Sequence, residues 1–198
     1  MKMKIVQVGE PVLRRTARPL SAEEIRGAEI QRLIEVMRET MRDAPGVGLA
    51  APQVGLSLQL AVIEDPEAFL KDVAPETLAR QERSPVPFHV IINPVLQVEP
   101  GEKVEFFEGC LSLSGFAALV SRARAVRVEC LNERAEPVTI NARGWYARIL
   151  QHEIDHLNGT VYIDRMHSRS FMSVDNLTRF WKDIPIEQMR EAFKPPGA

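Results

Sequence analysis

The stretch Gln151-His152-Glu153-Ile154-Asp155-His156 sets two histidines four residues apart, with a glutamate directly after the first. On a helix that spacing stacks both imidazoles on one face, about a turn apart, where they can grip one metal ion. A catalytic metal of this kind takes three protein ligands and keeps one position open. Two ligands are visible, so a third must come from elsewhere. The plainer alternative is a core helix whose histidines are satisfied by hydrogen bonds, because so short a pattern also recurs by chance.

Three places could supply the third ligand. A histidine at position 162 would complete a metzincin pattern, for which Gly159 is suitable, but Tyr162 stands there. A glutamate on a later helix would make a gluzincin, yet Glu187 and Glu191 lie in a weakly patterned tail. Cys110 remains, in Glu108-Gly109-Cys110-Leu111-Ser112. A lone cysteine is usually a small buried hydrophobe, but the preceding glycine and polar neighbours favour a turn at the end of a strand. One thiolate, two imidazoles and a water make a tetrahedral site suited to Zn²⁺ or Fe²⁺. Cys130 alternates with Val126 and Val128 and is assigned to the core.

The elements that would position these groups can be read from periodicity. Trp145, Ile149, His152 and His156 form one stripe of a helix starting near Gly144, and Leu150, Ile154 and Leu157 form another. That helix is apolar on most sides and belongs in the core. A second helix is expected from the Ser21/Glu24 capping pattern through Ile30, Leu33, Ile34, Met37 and Met41, weakened in its first turns by Gly27 and ending before Pro45. Strands are expected at 4–8, 58–64, 88–100, 102–110, 117–121, 125–131, 136–140 and 160–164. Residues 65–87 read as a proline-punctuated surface excursion. The tail, 167–198, is weakly helical with a frayed end at 194–198. The fold class expected is α+β: short antiparallel strands packed around a central buried helix, with a second, N-terminal helix.

At 198 residues the chain is most simply one domain, 1–198. Its 45% hydrophobic and 26% charged content is that of an ordinary globular protein, which argues against disorder. A net charge of −2 gives no general nucleic-acid surface, and no apolar run approaches a membrane span. Two cysteines in so long a chain are no disulfide framework, and a reducing cytoplasm fits them.

Gly46-Val47-Gly48-Leu49-Ala50-Ala51-Pro52-Gln53, Glu108 to Ser112 and Gln151 to Leu157, in that order, resemble the three motifs of the peptide deformylases. The similarity runs from about residue 4 to about residue 165. It implies removal of the N-formyl group from the initiator methionine of nascent polypeptides at the ribosome of a bacterial cytoplasm. It also implies one divalent metal, natively Fe²⁺ and replaceable by Zn²⁺, Ni²⁺ or Co²⁺, held by Cys110, His152 and His156. By the same resemblance Glu153 is the general acid/base, and Gln53 with the Leu111 backbone N–H receives the oxyanion. Gly48 contacts substrate backbone, and Glu108 pairs with Arg122. Val47, Trp145 and Ile149 are candidates to line the methionine pocket, each otherwise an ordinary core residue. Ser114 departs from the proline common in bacterial members. With the Gly144-to-Glu153 segment and the 65–87 insertion it resembles the organellar-type branch, which implies a homodimer.

Two other readings compete. A zinc endopeptidase needs a third ligand that the sequence does not convincingly offer. A non-catalytic metal or peptide-binding module would be expected to have lost Glu153 or Gln53, and both are present.

Overall fold

The computed structural model describes residues 2–182 and 184–194, so most of the 194–198 end expected to fray lies outside the described residues. Five strands form one antiparallel sheet in the order β1-β2-β3-β6-β7: β1 (Gly48–Ala50), β2 (Leu60–Asp65), β3 (Val86–Val98), β6 (Ala125–Leu131) and β7 (Pro137–Arg143). Strands β4 (Lys103–Cys110) and β5 (Leu113–Ala123) make a hairpin that gains β8 (Met172–Ser173) at its edge, forming a second sheet. The helices are α1 (Ala22–Arg26), α2 (Ala28–Asp43), α3 (Glu67–Leu70), α4 (Pro75–Gln81) and α5 (Gly144–Leu157), followed by a helical turn at Val174–Asn176 that continues as a π-helix, Leu177–Trp181, and by a short helix at Ile186–Ala192. The α+β class is as expected. Among the described residues no helix is long and apolar enough to cross a membrane.

Strand β2 shows how the layers are assigned. Leu60 and Val62 join Ile30, Ile34, Met37 and Met41 of α2, while Ala61 and Ile63 join Ala147, Leu150, Ile154 and Leu157 of α5. Alternate residues of an extended chain face opposite ways, so the sheet is covered by α2 on one side and α5 on the other. Each fully buried Leu, Ile or Met side chain contributes about 1.5–3 kcal/mol relative to exposure. Helix α5 is also flanked by β5, which makes it the buried axis of the molecule.

Three local expectations are corrected, and a fourth, the largely exposed 65–87 excursion, gains detail. The capping box forms, with Ser21 Oγ accepting from the Glu24 N–H at 3.1 Å and Glu24 accepting from the Ser21 N–H at 2.8 Å. The helix it opens ends at Arg26, however, because Gly27 is extended (ψ 147°) and α2 restarts beyond it. Residues 4–8 join no sheet; Val6 N–H donates to Gln53 O (2.9 Å) and Val8 N–H to Ser112 O (2.8 Å). Tyr162–Asp164 is a 3₁₀ turn, not a strand, closed by Asp164 accepting from the Val161 N–H at 2.9 Å. Finally, the 65–87 excursion carries α3 and α4 and is anchored inward. Buried Asp65 takes a bidentate bond from Arg83 (2.8 and 2.9 Å), and the end of α4 packs so closely on Gly144 (φ +57°) that a Cβ there would lie 2.5 Å from the Glu82 Cβ.

Candidate metal centre

Strand β4 delivers Cys110 at its last residue, and α5 delivers His152 and His156 from successive turns. One ligand atom from each of the three lies within 4.8 Å of the others. Cys110 Sγ is 3.2 Å from His156 Nε2, and the two imidazole centroids are 5.0 Å apart. His152 Nδ1 sits 3.1 Å from Glu108 Oε2. A carboxylate there fixes the ring and leaves Nε2 as the ligand nitrogen. Burial opposes a charge on His152, but Cys110 and Glu108 outweigh it and hold the imidazole protonated well above its usual range. Burial and the His152 charge push His156 the other way. One sulfur and two imidazole nitrogens gathered within 4.8 Å of one another are the donor set of a divalent-cation site. The residues present fit the metal implied by the resemblance.

Glu153 is buried, and its Oε2 has no hydrogen-bond partner among the described residues. Burial pushes its carboxyl up to about 7. Gly48 lies directly against it: a Cβ at 48 would sit 2.6 Å from the Glu153 carboxyl carbon, so only a glycine leaves the carboxyl room. Gln53 is held the right way round by its neighbours. The Ala50 N–H donates to Oε1 at 2.8 Å, and Nε2 turns toward Cys110 Sγ (3.5 Å) and Ser112 Oγ (3.4 Å). The Val6 bond to Gln53 O, together with Gln7 Nε2 donating to Leu111 O at 3.0 Å, ties the two loops to the N-terminal segment.

These groups open on one cavity of about 390 Å³. Cys110, His152 and Glu153 line it with Gln53, Leu111 and Gly48, and Val47, Trp145 and Ile149 supply apolar wall. His156 is 1% exposed and reaches the cluster from behind that wall. The three candidate ligands, Glu153, Gln53, Leu111, Gly48 and the three candidate pocket residues are thus brought to one place. Cys130 is elsewhere, in the core between α5 and the sheet, where burial pushes its thiol up to about 11.

Glu108 and Arg122 do pair, and both are buried, with bonds of 2.9 Å from Nε and Nη2. Sequence reasoning missed the rest of this network. Arg148, also buried, donates to Glu108 (2.5 Å), to Val120 O (3.0 Å) and to Val104 O (2.6 Å), pinning α5 to both strands of the hairpin. Asp155 accepts from Arg122 and, at 2.6 and 2.7 Å, from Arg165. Despite burial, the bonds from His152 and Arg122 hold Glu108 ionised far below the usual carboxylate range. Arg83, over the Trp145 ring at 5.2 Å, was missed as well. The available signal was an arginine and an aspartate in a helix otherwise read as core, since buried charges must be paired.

A model of the polypeptide deformylase family matches residues 2–171. The tomato protein named peptide deformylase 1A, chloroplastic, is 44% identical over 182 residues, covering 92% of this chain and 64% of its own length. The chain therefore spans slightly less than two thirds of that relative. Peptide deformylase 3 of Streptomyces avermitilis is 44% identical over 190 residues, covering 96% of this chain and 83% of its own. Among solved structures, the class I type b peptide deformylase from Acinetobacter baumannii with Met-Ala-Ser bound aligns at a TM-score of 0.74 and 32% identity, over 84% of this chain and 99% of that one.

Proposed function

The chain belongs to the peptide deformylase family, and from that premise we propose that it is a metal-dependent hydrolase removing the N-formyl group from the formylmethionine of nascent polypeptides, with release of formate. One observation carries the reading: Cys110, from a separate strand, meets the two histidines of α5 beside an unpartnered buried carboxyl and an oriented amide on the same cavity.

We assign the metal to Cys110, His152 and His156, with Fe²⁺ as the native ion and Zn²⁺, Ni²⁺ or Co²⁺ as substitutes. When bound, the cation supplies a Lewis acid that polarises the formyl carbonyl and makes a water acidic enough to ionise near neutral pH. Glu153 takes that water's proton and returns it to the departing amine nitrogen; a carboxyl raised to about 7 by burial suits both tasks. Gln53 Nε2 and the Leu111 N–H receive the charge growing on the formyl oxygen. Loss of one such donor costs roughly 3–4 kcal/mol of barrier. The substrate backbone runs against β1 at Gly48 as an added strand, a mode that tolerates varied sequence beyond the first residue. The methionine side chain enters the apolar wall of Val47, Trp145 and Ile149.

The partners proposed are ribosome-borne nascent chains and a second copy of this chain in a homodimer. The setting proposed is a reducing, bacterial cytoplasm, supported by two unpaired cysteines of which one is the assigned ligand. The test is formate release from formyl-Met-Ala-Ser by protein loaded anaerobically with Fe²⁺. Turnover is expected with the formylated peptide alone; cleavage of an internal peptide bond without formate would instead favour an endopeptidase.

A further inference from the structure

The cavity does not end at the apolar wall. Beyond the cysteine loop its rim includes Phe116 and Val174, large apolar residues left 42% and 44% exposed. Val174 lies past residue 171, where the match to the family ends. Its position is built, not incidental. The chain from Met166 runs beside β5: His167 N–H donates to Leu119 O (2.9 Å), and buried Ser170 accepts from the Leu119 N–H (2.8 Å). Met172 and Ser173 then pair with Ala117 and Phe116. Ser173 Oγ caps the next turn by accepting from the Asn176 N–H at 3.3 Å, which sets Val174 at the rim. Phe116 is fixed too, its ring stacked on Phe171 at 5.1 Å between centroids and its carbonyl accepting from Tyr162 Oη at 3.3 Å.

We propose that Phe116 and Val174 form an apolar ledge that takes the side chain immediately following the substrate methionine, making these two residues determinants of sequence preference. The proposal rests on the deformylase reading. Two things favour this occupant. The ledge is continuous with the cavity that holds the proposed chemistry. A peptide extended along β1 also turns successive side chains to opposite sides, so a residue whose methionine fills the inner wall presents its next side chain toward the rim. Partial burial of a leucine there is worth about a fivefold gain in binding.

The test compares kcat/KM for formyl-Met-Leu-Ser and formyl-Met-Ser-Ser on the metal-loaded enzyme. The wild type is expected to favour the leucine peptide about fivefold, with the difference carried by KM. Val174→Ser and Phe116→Ser should each bring the ratio toward one, and Val174→Ile, which keeps the apolar surface, should preserve it. Equal efficiencies in the wild type, or a preference that survives both serine variants, would overturn the ledge while leaving the deformylase reading intact. Absence of formate from both peptides would sink the ledge and the deformylase reading together.

Discussion

Gly48 and Glu153 show how much the site asks of single residues. The strand edge proposed to receive the peptide and the carboxyl proposed to move the proton are in contact, and the glycine is needed for room rather than for an unusual dihedral angle. The roles of Glu153 and Cys110 separate experimentally. Glu153→Ala should keep its metal, measured by elemental analysis, while kcat falls by roughly 10²–10⁴. Cys110→Ser should instead lose metal affinity. A Glu153→Ala variant with wild-type turnover would falsify the acid/base assignment. Much at this scale was legible, because HExxH spacing, a cysteine after a glycine and a glutamine in a glycine-rich loop each carry a chemical expectation. What was hidden is which neighbour each group would find. No spacing rule tells that the Ala50 N–H occupies Gln53 Oε1 and so turns Nε2 toward Cys110.

Among the elements, α5 and the β4–β5 hairpin are joined by charge as well as by packing. Arg148 bridges Glu108 and two strand carbonyls at 3% exposure. Arg148→Met keeps the volume but takes one cationic partner from buried Glu108, which retains Arg122 and His152, and a donor from both strand carbonyls, so a loss of about 3 kcal/mol is expected in urea unfolding. Arg124→Met, which removes a solvent-exposed pair with Glu82, should shift the midpoint little. Equal shifts would mean that the Arg148 contacts add nothing beyond an ordinary surface pair. Element types were legible where periodicity was strong, as in β2, β6, α2 and α5. They were not where one side chain or one close contact decides the outcome. Asp164 folds 162–164 back into a turn, and a Cβ at Gly27 would meet Glu24 O at 3.1 Å where the helix breaks. Arg83 draws the 65–87 excursion inward onto Asp65 and Trp145. Such contacts join residues that pattern reading treats separately.

For the whole molecule, the assigned ligands come from two bodies of structure, the second sheet and the central helix. A cation bound there ties them together and stabilises the native state by its binding free energy. Removing metal with a chelator should therefore lower the melting temperature by about 5–10 °C, with recovery when Fe²⁺ or Zn²⁺ is restored. Calorimetric traces that coincide before and after chelation would argue against ions at this site. The two-sided sheet has a further consequence. Ile30, Ile34 and Met37 meet the sheet on the side away from α5, backed by Leu60, Val62 and Ile92. That layer serves as ballast, and conservative repacking such as Met37→Leu can tune robustness there; its inner end is also the footing of the workshop, because Leu49, Ala51 and Leu111 rest on the same keel.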